Sequence, residues 1–403
     1  MRLRFNFRLY PTSHQQQALA RAFGCARVVF NDALRARQEA HATGSAYPSD
    51  GELSKQVITQ AKKTPERVWL GEVSTVVLQQ ALADANAAYR NFFASLSGKR
   101  KGPKTARPRY RSRKDHRQAI RFTRNARFTV LDNGRLRLPK IGDIPVRWSR
   151  DLPSEPSSVT VIKDARGRYF ASFVVQTTDA PLPETEHEVG IDLGLASFAV
   201  LSDGTVIDNP RVLRRAERRL KKAQRALCRK AKGSKNRAKA RLRVAELHAK
   251  VADARRDHAH KVSTKIIRDN QAVYVEDLCV RGLARTRLAK SVHDAGWSQF
   301  VNMLEYKAAR YGRYFAKINR FEPTSQICST CKTKDGPKPL HIRQWTCPAC
   351  GTVHDRDLNA ADNTLAAGRA DRLNACGAQV RPGPVPAPRC EAGTHSKPTP
   401  TQV

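Results

Sequence analysis

Val189-Gly190-Ile191-Asp192-Leu193-Gly194-Leu195 runs directly into Ala196-Ser197-Phe198-Ala199-Val200-Leu201, and then into Ser202-Asp203-Gly204. Two apolar runs on either side of a Gly-containing turn read as paired strands. Asp192 sits inside the first strand, between Ile191 and Leu193. A carboxylate is costly to bury there unless it is paired or holds a cation. Its short reach from a rigid strand suits a metal ligand, although a strand-end aspartate bonded to backbone would give the same pattern.

Further along, Ala272-Val273-Tyr274-Val275-Glu276-Asp277-Leu278 is a short apolar run ending in acids. That is the signature of a buried parallel strand, and α/β sheets place ligands at the C-terminal edges of such strands. Alternation puts Val273, Val275 and Asp277 on one face and Tyr274, Glu276 and Leu278 on the other. The pattern alone does not choose between Glu276 and Asp277.

Cys328-Ser-Thr-Cys331 and Cys347-Pro-Ala-Cys350-Gly351 form a C-x2-C-x15-C-x2-C array. Two such knuckles bring four thiolates round one tetrahedral ion, so a structural Zn2+ is expected. His341 and His354 lie nearby, but four cysteines already complete the shell. With no open position left, this zinc is not expected to catalyse. The chain holds nine cysteines, an odd number with four clustered, which argues for a metal site in a reducing compartment and not for a disulfide framework.

Directly after the array comes His354-Asp355-Arg356-Asp357-Leu358-Asn359-Ala360-Ala361-Asp362-Asn363. It reads as a helix start, where acids are favoured for capping and dipole reasons alone. Ala360 and Ala361, one turn on, would let this helix approach a sheet closely and aim Asp357 inward. Asp192, Glu276 and one of Asp355 or Asp357 could then hold two Mg2+ ions for phosphodiester cleavage. No Walker A loop and no Ser/His/Asp pattern is present.

Charge agrees with a polyanionic partner. Lys and Arg number 74 against 36 Asp and Glu, a net +38. Such an imbalance is self-repulsive until phosphates neutralise it. No apolar run reaches eighteen residues and the N-terminus has no apolar h-region. Neither a transmembrane helix nor a secretory signal is expected, and membrane partners are not anticipated.

The rest of the chain divides by periodicity. Residues 1–10 read as a strand with Leu3, Phe5, Phe7 and Leu9 on one face, then Pro11-Thr12-Ser13 breaks and caps a helix. Residues 11–117 read as a bundle of three to four helices ending in a basic Gly/Pro-broken arm, 98–116. The arm would lie on phosphates or be a solvated linker. From Gln118 the period becomes two, with turn signals at Asn133-Gly134 and Arg166-Gly167. Residues 1–10 with 118–180 are therefore expected to form a β-barrel into which the helices are inserted. Residues 179–187 are a polar linker, 211–270 a basic helical hairpin broken at Gly233-Ser234, and 369–403 a disordered Pro-rich tail.

Taken in order, Gly190-Ile-Asp192-Leu-Gly194, Val275-Glu276-Asp277-Leu278, the two cysteine knuckles and His354-Asp-Arg-Asp357-x-Asn-Ala-Ala resemble the TnpB family. These are transposon-encoded proteins related to type V CRISPR effector nucleases. Arg8-Leu9-Tyr10-Pro11, Ala26 to Asn31 and Asp294-Ala-Gly-Trp297 fit as well, so the resemblance spans residues 1 to about 365. It implies an α/β RNase H-like (RuvC) core over 188–326 and 352–368, with Asp192, Glu276 and Asp357 as Mg2+-binding catalytic acids. It thereby favours Glu276 over Asp277 and Asp357 over Asp355. It implies a zinc ribbon at 327–351 held by Cys328, Cys331, Cys347 and Cys350, a wedge barrel and a recognition bundle. It further implies a guide RNA from the transposon end, and cleavage of double-stranded DNA beside a short target-adjacent motif by a cytoplasmic, nucleoid-associated monomer. The helix carrying Gln79, Gln80, Tyr89 and Phe92 is a candidate for the target-adjacent duplex, though these side chains could equally be core and surface. A non-catalytic regulator of transposition and a strand-transferring transposase are the competing readings of the same residues.

Overall fold

The computed structural model describes residues 1–375 apart from His116 and Leu340. The chain divides into two compact units, residues 1–178 with 231–246, and residues 179–230 with the remainder.

The first unit opens with β1 (Arg2–Leu9) and the single continuous helix α1 (Ser13–Ala42). Thr12 and Gln15 form a capping box, with each side chain taking the other's backbone N–H. A short α2 (Asp50–Ser54), irregular helical turns and the long α3 (Thr75–Leu96) follow. Then come β2 (Gln118–Thr123), β3 (Thr129–Val130), β4 (Arg135–Leu138), β5 (Gly142–Arg147), β6 (Ser158–Lys163) and β7 (Tyr169–Gln176). All seven strands join one antiparallel sheet in the order β2-β6-β7-β1-β5-β4-β3. β1 pairs along its whole length with β7, from Arg2 opposite Gln176 to Leu9 opposite Tyr169.

The helical segment holds three α-helices, two of them long, with irregular helical turns between α2 and α3. Two expectations are corrected here. The sheet is not closed by hydrogen bonds into a barrel: among the described residues its outer strands β2 and β3 do not pair. Nor are helices and sheet separate bodies, since Leu19, Val29, Leu78 and Ala85 share one core with Phe7, Phe122 and Phe173. Tyr89 is 4% exposed within that core, which removes it from any DNA-reading face. The basic arm is fastened at its far end. Asn31 makes two hydrogen bonds to the backbone of Arg111, and the Arg111 guanidinium lies 3.8 Å from the Phe30 ring centroid.

The second unit contains β8 (Glu188–Asp192), β9 (Ser197–Leu201), β10 (Val206–Asp208), the basic hairpin α4 (Val212–Cys228) and α5 (Lys235–Asp269), and β11 (Ala272–Glu276). After these come α6 (Val280–Leu283), α7 (Ala289–Ala295), α8 (Trp297–Tyr311), β12 (Tyr314–Ile318), the ribbon strands β13 (Gln344–Thr346) and β14 (Val353–Asp355), and α9 (Arg356–Ala375). Residues 231–246 of the hairpin cluster with the first unit. The polar stretch 179–187 is no free linker: Ala180 and Leu182 donate their N–H groups to the carbonyls of Arg310 and Tyr311.

The five-stranded sheet has the order β10-β9-β8-β11-β12. β8 runs antiparallel to β9 and parallel to β11, which runs parallel to β12. On one face Val189, Ile191, Val273 and Val275 pack with Ile266 and Ile267 of α5 and Phe300 and Leu304 of α8. Lys307, buried on α8, donates to the His260 carbonyl and to the Ser263 and Thr264 hydroxyls of α5. The opposite face receives α9 at very short range. A Cβ on Gly190 would lie 2.2 Å from the Ala361 carbonyl oxygen, and one on Gly368 would lie 2.1 Å from the Tyr274 ring. α9 runs on to Ala375, through residues expected to belong to a disordered tail from 369; the rest of that expected tail, 376–403, lies outside the described residues. Among the described residues no helix is long and apolar enough to cross a membrane.

Candidate functional site

Asp192 is the last residue of β8, at its edge rather than within it, and Glu276 is the last residue of β11. The two strands run parallel with Tyr274 beside Gly190 and Val275 beside Ile191. One step further along this register sets Glu276 beside Asp192. Alternation places both on the face that Gly190 and Tyr274 share, the face covered by α9. Asp357 lies in the first turn of α9. The sheet and the helix thus put the three acids near enough for their charges to act on one another, though not within the 4.8 Å mutual reach of the cysteine ligands.

Electrostatics records that closeness. The Asp192 carboxyl is pushed up to about 8, first by burial and then by the negative charges of Glu276 and Asp357. Glu276 is raised by burial as well, offset in part by a hydrogen bond that the Thr324 hydroxyl donates to its Oε1 at 2.5 Å. Two half-buried acids whose charged forms are disfavoured, with a third acid acting on one of them, make a site that a divalent cation would relieve. The donor set, oxygen only, suits a hard cation such as Mg2+.

The neighbouring acids are otherwise engaged. Asp277 is ion-paired to Arg320, which also donates to its backbone carbonyl. Asp355 caps α9, its Oδ1 accepting the N–H groups of Asp357 and Leu358 at 3.0 Å each. Arg343, just before β13, donates through Nη1 to both carboxylate oxygens of Asp357 at 3.2 Å.

The four cysteines converge. Among the described residues they form the one group of potential ligands whose atoms all lie within 4.8 Å of one another. Cys328 Sγ is 3.7 Å from Cys350 Sγ, and Cys331 Sγ is 3.6 Å from Cys347 Sγ. Thiolates at ~2.3 Å from a tetrahedral Zn2+ stand ~3.8 Å apart, so the geometry fits zinc. The two knuckles repeat one backbone pattern. Cys328 and Cys347 donate N–H to the carbonyls of Thr333 and Thr352, and accept from Lys332 and Gly351. Lys332 takes φ +64°, where the second knuckle has Gly351 at +73°. His354 does not join the shell as a fifth ligand. Its Nε2 lies 3.0 Å from Cys328 Sγ, and its ring lies against Trp345.

Reading the residues in order missed Arg343 and Thr324. Neither carries a signal of its own. Arg343 is one basic residue among many, and Thr324 stands in the irregular stretch between β12 and the knuckles. Only the folded ribbon brings them to the acids.

The chain thus combines a mixed sheet with acids at its strand ends, a helix crossing one face and a four-cysteine ribbon inserted before that helix. Two solved structures share the fold. The Cas12f1–sgRNA–target DNA complex matches with a TM-score of 0.53 and 14% identity, over 86% of this chain and 82% of that one. The mini-RNA-guided endonuclease CRISPR-Cas_phi3 matches with a TM-score of 0.52 and 10% identity, over 92% of each chain. The family model of IS605 OrfB, described as "Probable transposase", matches residues 172–287, and the Cas12f1-like TNB domain model matches 297–364. A "Helix-turn-helix domain" model matches 1–45, which here is a strand followed by one unbroken helix. A Streptomyces pristinaespiralis protein named "Putative RNA-guided DNA endonuclease" is 47% identical over 94% of this chain and 92% of its own length. InsQ of Escherichia coli (strain K12), which carries the same description, is 32% identical over 94% and 95%. The chain belongs to the TnpB family.

Proposed function

We propose that this protein is an RNA-guided DNA endonuclease that cuts double-stranded DNA beside a short target-adjacent motif. The observation that carries the reading is the placement of Asp192, Glu276 and Asp357 by two parallel strands and one helix, where burial first, and then the charges of Glu276 and Asp357, push Asp192 up to about 8. In this reading the three carboxylates bind Mg2+, which supplies water activation and stabilisation of the leaving oxygen. Asp192 and Glu276 hold fixed positions because each ends a strand of a fully packed sheet. Asp357 is set by the close seating of α9 on Gly190. Cys328, Cys331, Cys347 and Cys350 hold a structural Zn2+ that keeps the ribbon folded against the acids.

The partners follow from charge and family. The relatives' names specify RNA guidance and DNA cleavage, and a chain of net +38 has the charge to hold a heteroduplex by its phosphates. Delegating sequence reading to base pairing leaves the protein to bind shape and backbone. The exposed basic face of α4 offers such a backbone-binding surface, and residues 98–115 are a separate basic stretch that can bind phosphates.

The test is cleavage of a plasmid library by the protein co-expressed with its transposon-end RNA. It is run with Mg2+, with EDTA and with Asp192→Ala. Guide-directed cuts that need Mg2+ and vanish with the substitution establish the reading. Guide-dependent binding without cutting supports a regulator instead, and joined ends support strand transfer.

A further inference from the structure

Thr324 lies between β12 and the first knuckle and is 4% exposed. Its hydroxyl donates to Glu276 Oε1. Its carbonyl oxygen accepts from two side-chain amides of α9, Asn359 Nδ2 at 3.3 Å and Asn363 Nδ2 at 2.9 Å. The same two amides reach the Ile327 carbonyl at 2.8 and 2.7 Å. Their oxygens face the ribbon. Asn359 Oδ1 accepts the N–H of Ser329 inside the first knuckle, and Asn363 Oδ1 accepts Lys332 Nζ. Both asparagines are buried, at 1% and 6% exposed.

This network is continuous from the knuckle to the acid. The helix that carries Asp357 grips the root of the ribbon through two amides, and that root hands a hydroxyl to Glu276. Buried amides with every contact spent on one loop fix its backbone tightly. A hydroxyl given to a carboxylate oxygen fixes the rotation of the carboxyl plane, as outer partners of metal-binding carboxylates do. We propose that Thr324 is a positioning residue for Glu276, held in register with the zinc knuckle by Asn359 and Asn363. The inference rests on the reading of Glu276 as a cation ligand.

The substitutions are Thr324→Val, which keeps the shape and removes the donor, and Thr324→Ser, which keeps the donor. The full-length protein with its RNA is assayed for zinc content, for Mn2+ affinity by calorimetry, and for cleavage against Mg2+ concentration. Loss of a partner of this kind costs about 10- to 100-fold in metal affinity. Thr324→Val is expected to retain its zinc, bind Mn2+ at least about tenfold more weakly and need correspondingly more Mg2+, while Thr324→Ser stays near wild type. Asn363→Ala keeps the hydroxyl and is expected to give a smaller loss that deepens when zinc is chelated. Wild-type Mn2+ affinity in Thr324→Val beside weakened binding in Glu276→Gln overturns the inference alone. Loss of zinc by Thr324→Val makes the residue merely structural and also overturns it. Equal Mn2+ binding by the wild type and Glu276→Gln overturns the reading of the acids and this inference with it.

Discussion

Arg343 Nη1 stands 3.2 Å from both carboxylate oxygens of Asp357, so the ribbon touches the candidate catalytic acids through a charge. The Arg343 side chain is 53% exposed, so the pair adds no more than about 1 kcal/mol to stability. Its importance is positional. A guanidinium beside phosphodiester-cleaving acids is placed to meet the charge that develops on the phosphate, and deleting one such donor costs about 10²- to 10³-fold in rate. Arg343→Ala is therefore expected to fold normally and to cleave about a hundredfold more slowly in single-turnover assays with saturating Mg2+. An unchanged rate would remove Arg343 from the reaction.

The raised Asp192 carboxyl makes a pH prediction. Its folded value of about 8 lies above the ordinary 3.8. Between those values the folded chain keeps a proton that the unfolded chain has released. The metal-free protein should then lose stability as pH rises from about 4 to about 8, by at most about 1.4 kcal/mol per unit, and level off above. A cation needs the carboxylate form, so Mn2+ affinity should climb through the same window and flatten beyond it. Calorimetric titrations at pH 6, 7, 8 and 9 read this directly, and a flat affinity from 6 to 8 contradicts it.

The same raised carboxyl predicts a conflict between stability and activity. Asp192→Asn keeps the side chain's size but needs no proton to be neutral in the fold, so it escapes the penalty that burial first, and Glu276 and Asp357 next, place on the carboxylate. The metal-free variant should unfold at a higher temperature than the wild type, by about 1–2 kcal/mol of added stability, and should not cleave. A lower melting temperature without metal would show that the carboxylate is needed for the fold.

Much of this site was legible in the residues. The strand ending at Glu276 announced itself by an apolar run with an acid at its edge, Asp192 was read inside its strand where the structure puts it at the end, and the cysteine spacing announced the ribbon. The small residues Ala360 and Ala361 indicated close helix–sheet packing. Local pattern could not separate Glu276 from Asp277 or Asp357 from Asp355, because strand-end and helix-start acids look alike whatever they do. In the fold Asp277 pairs with Arg320 and Asp355 caps α9, while Glu276 and Asp357 are the acids whose charges reach Asp192. The strand β12 and the open edge of the large sheet were not legible either. Both depend on pairing between distant segments, and Tyr314–Ile318 carries a lysine where a buried strand would not. Treating the helices and the first sheet as separate bodies failed for the same reason, since their shared core is assembled from residues far apart in sequence.

Gly190 tests the seating of α9. Its Cβ position is filled by the backbone of Ala361 at 2.2 Å and of Leu365 at 2.4 Å, and backbone cannot swing aside. Gly190→Ala must lift α9 off β8, which moves Asp357 away from Asp192. We expect a destabilisation of about 3 kcal/mol or more, at the upper end for overpacking, with cleavage lost even well below the melting temperature. A variant that melts earlier but cleaves at the wild-type rate when cold would show that α9 tolerates the shift.

Asp294 tests how the basic hairpin is held. Arg211 occupies the N-cap position of α4 with φ 44° and supplies no side-chain cap. Asp294, buried on α7, supplies it from a distance: its two oxygens accept the N–H groups of Leu213 at 2.8 Å and Arg214 at 3.2 Å. The same carboxylate pairs with Arg255 Nε of α5 at 3.1 Å. One acid therefore ties the start of α4 to α5. Asp294→Ala strands two backbone donors and a largely buried guanidinium together, a loss of about 2–3 kcal/mol from cap and ion pair combined. The expected phenotype is local: α4 becomes sensitive to protease between residues 211 and 230, and RNA affinity falls. Because the sheet core does not use Asp294, zinc content and Mn2+ affinity should stay at wild-type levels. Asp294→Asn keeps one acceptor and should fall between the two. If RNA affinity is unchanged while α4 is cut readily, the hairpin is not the surface that carries the RNA.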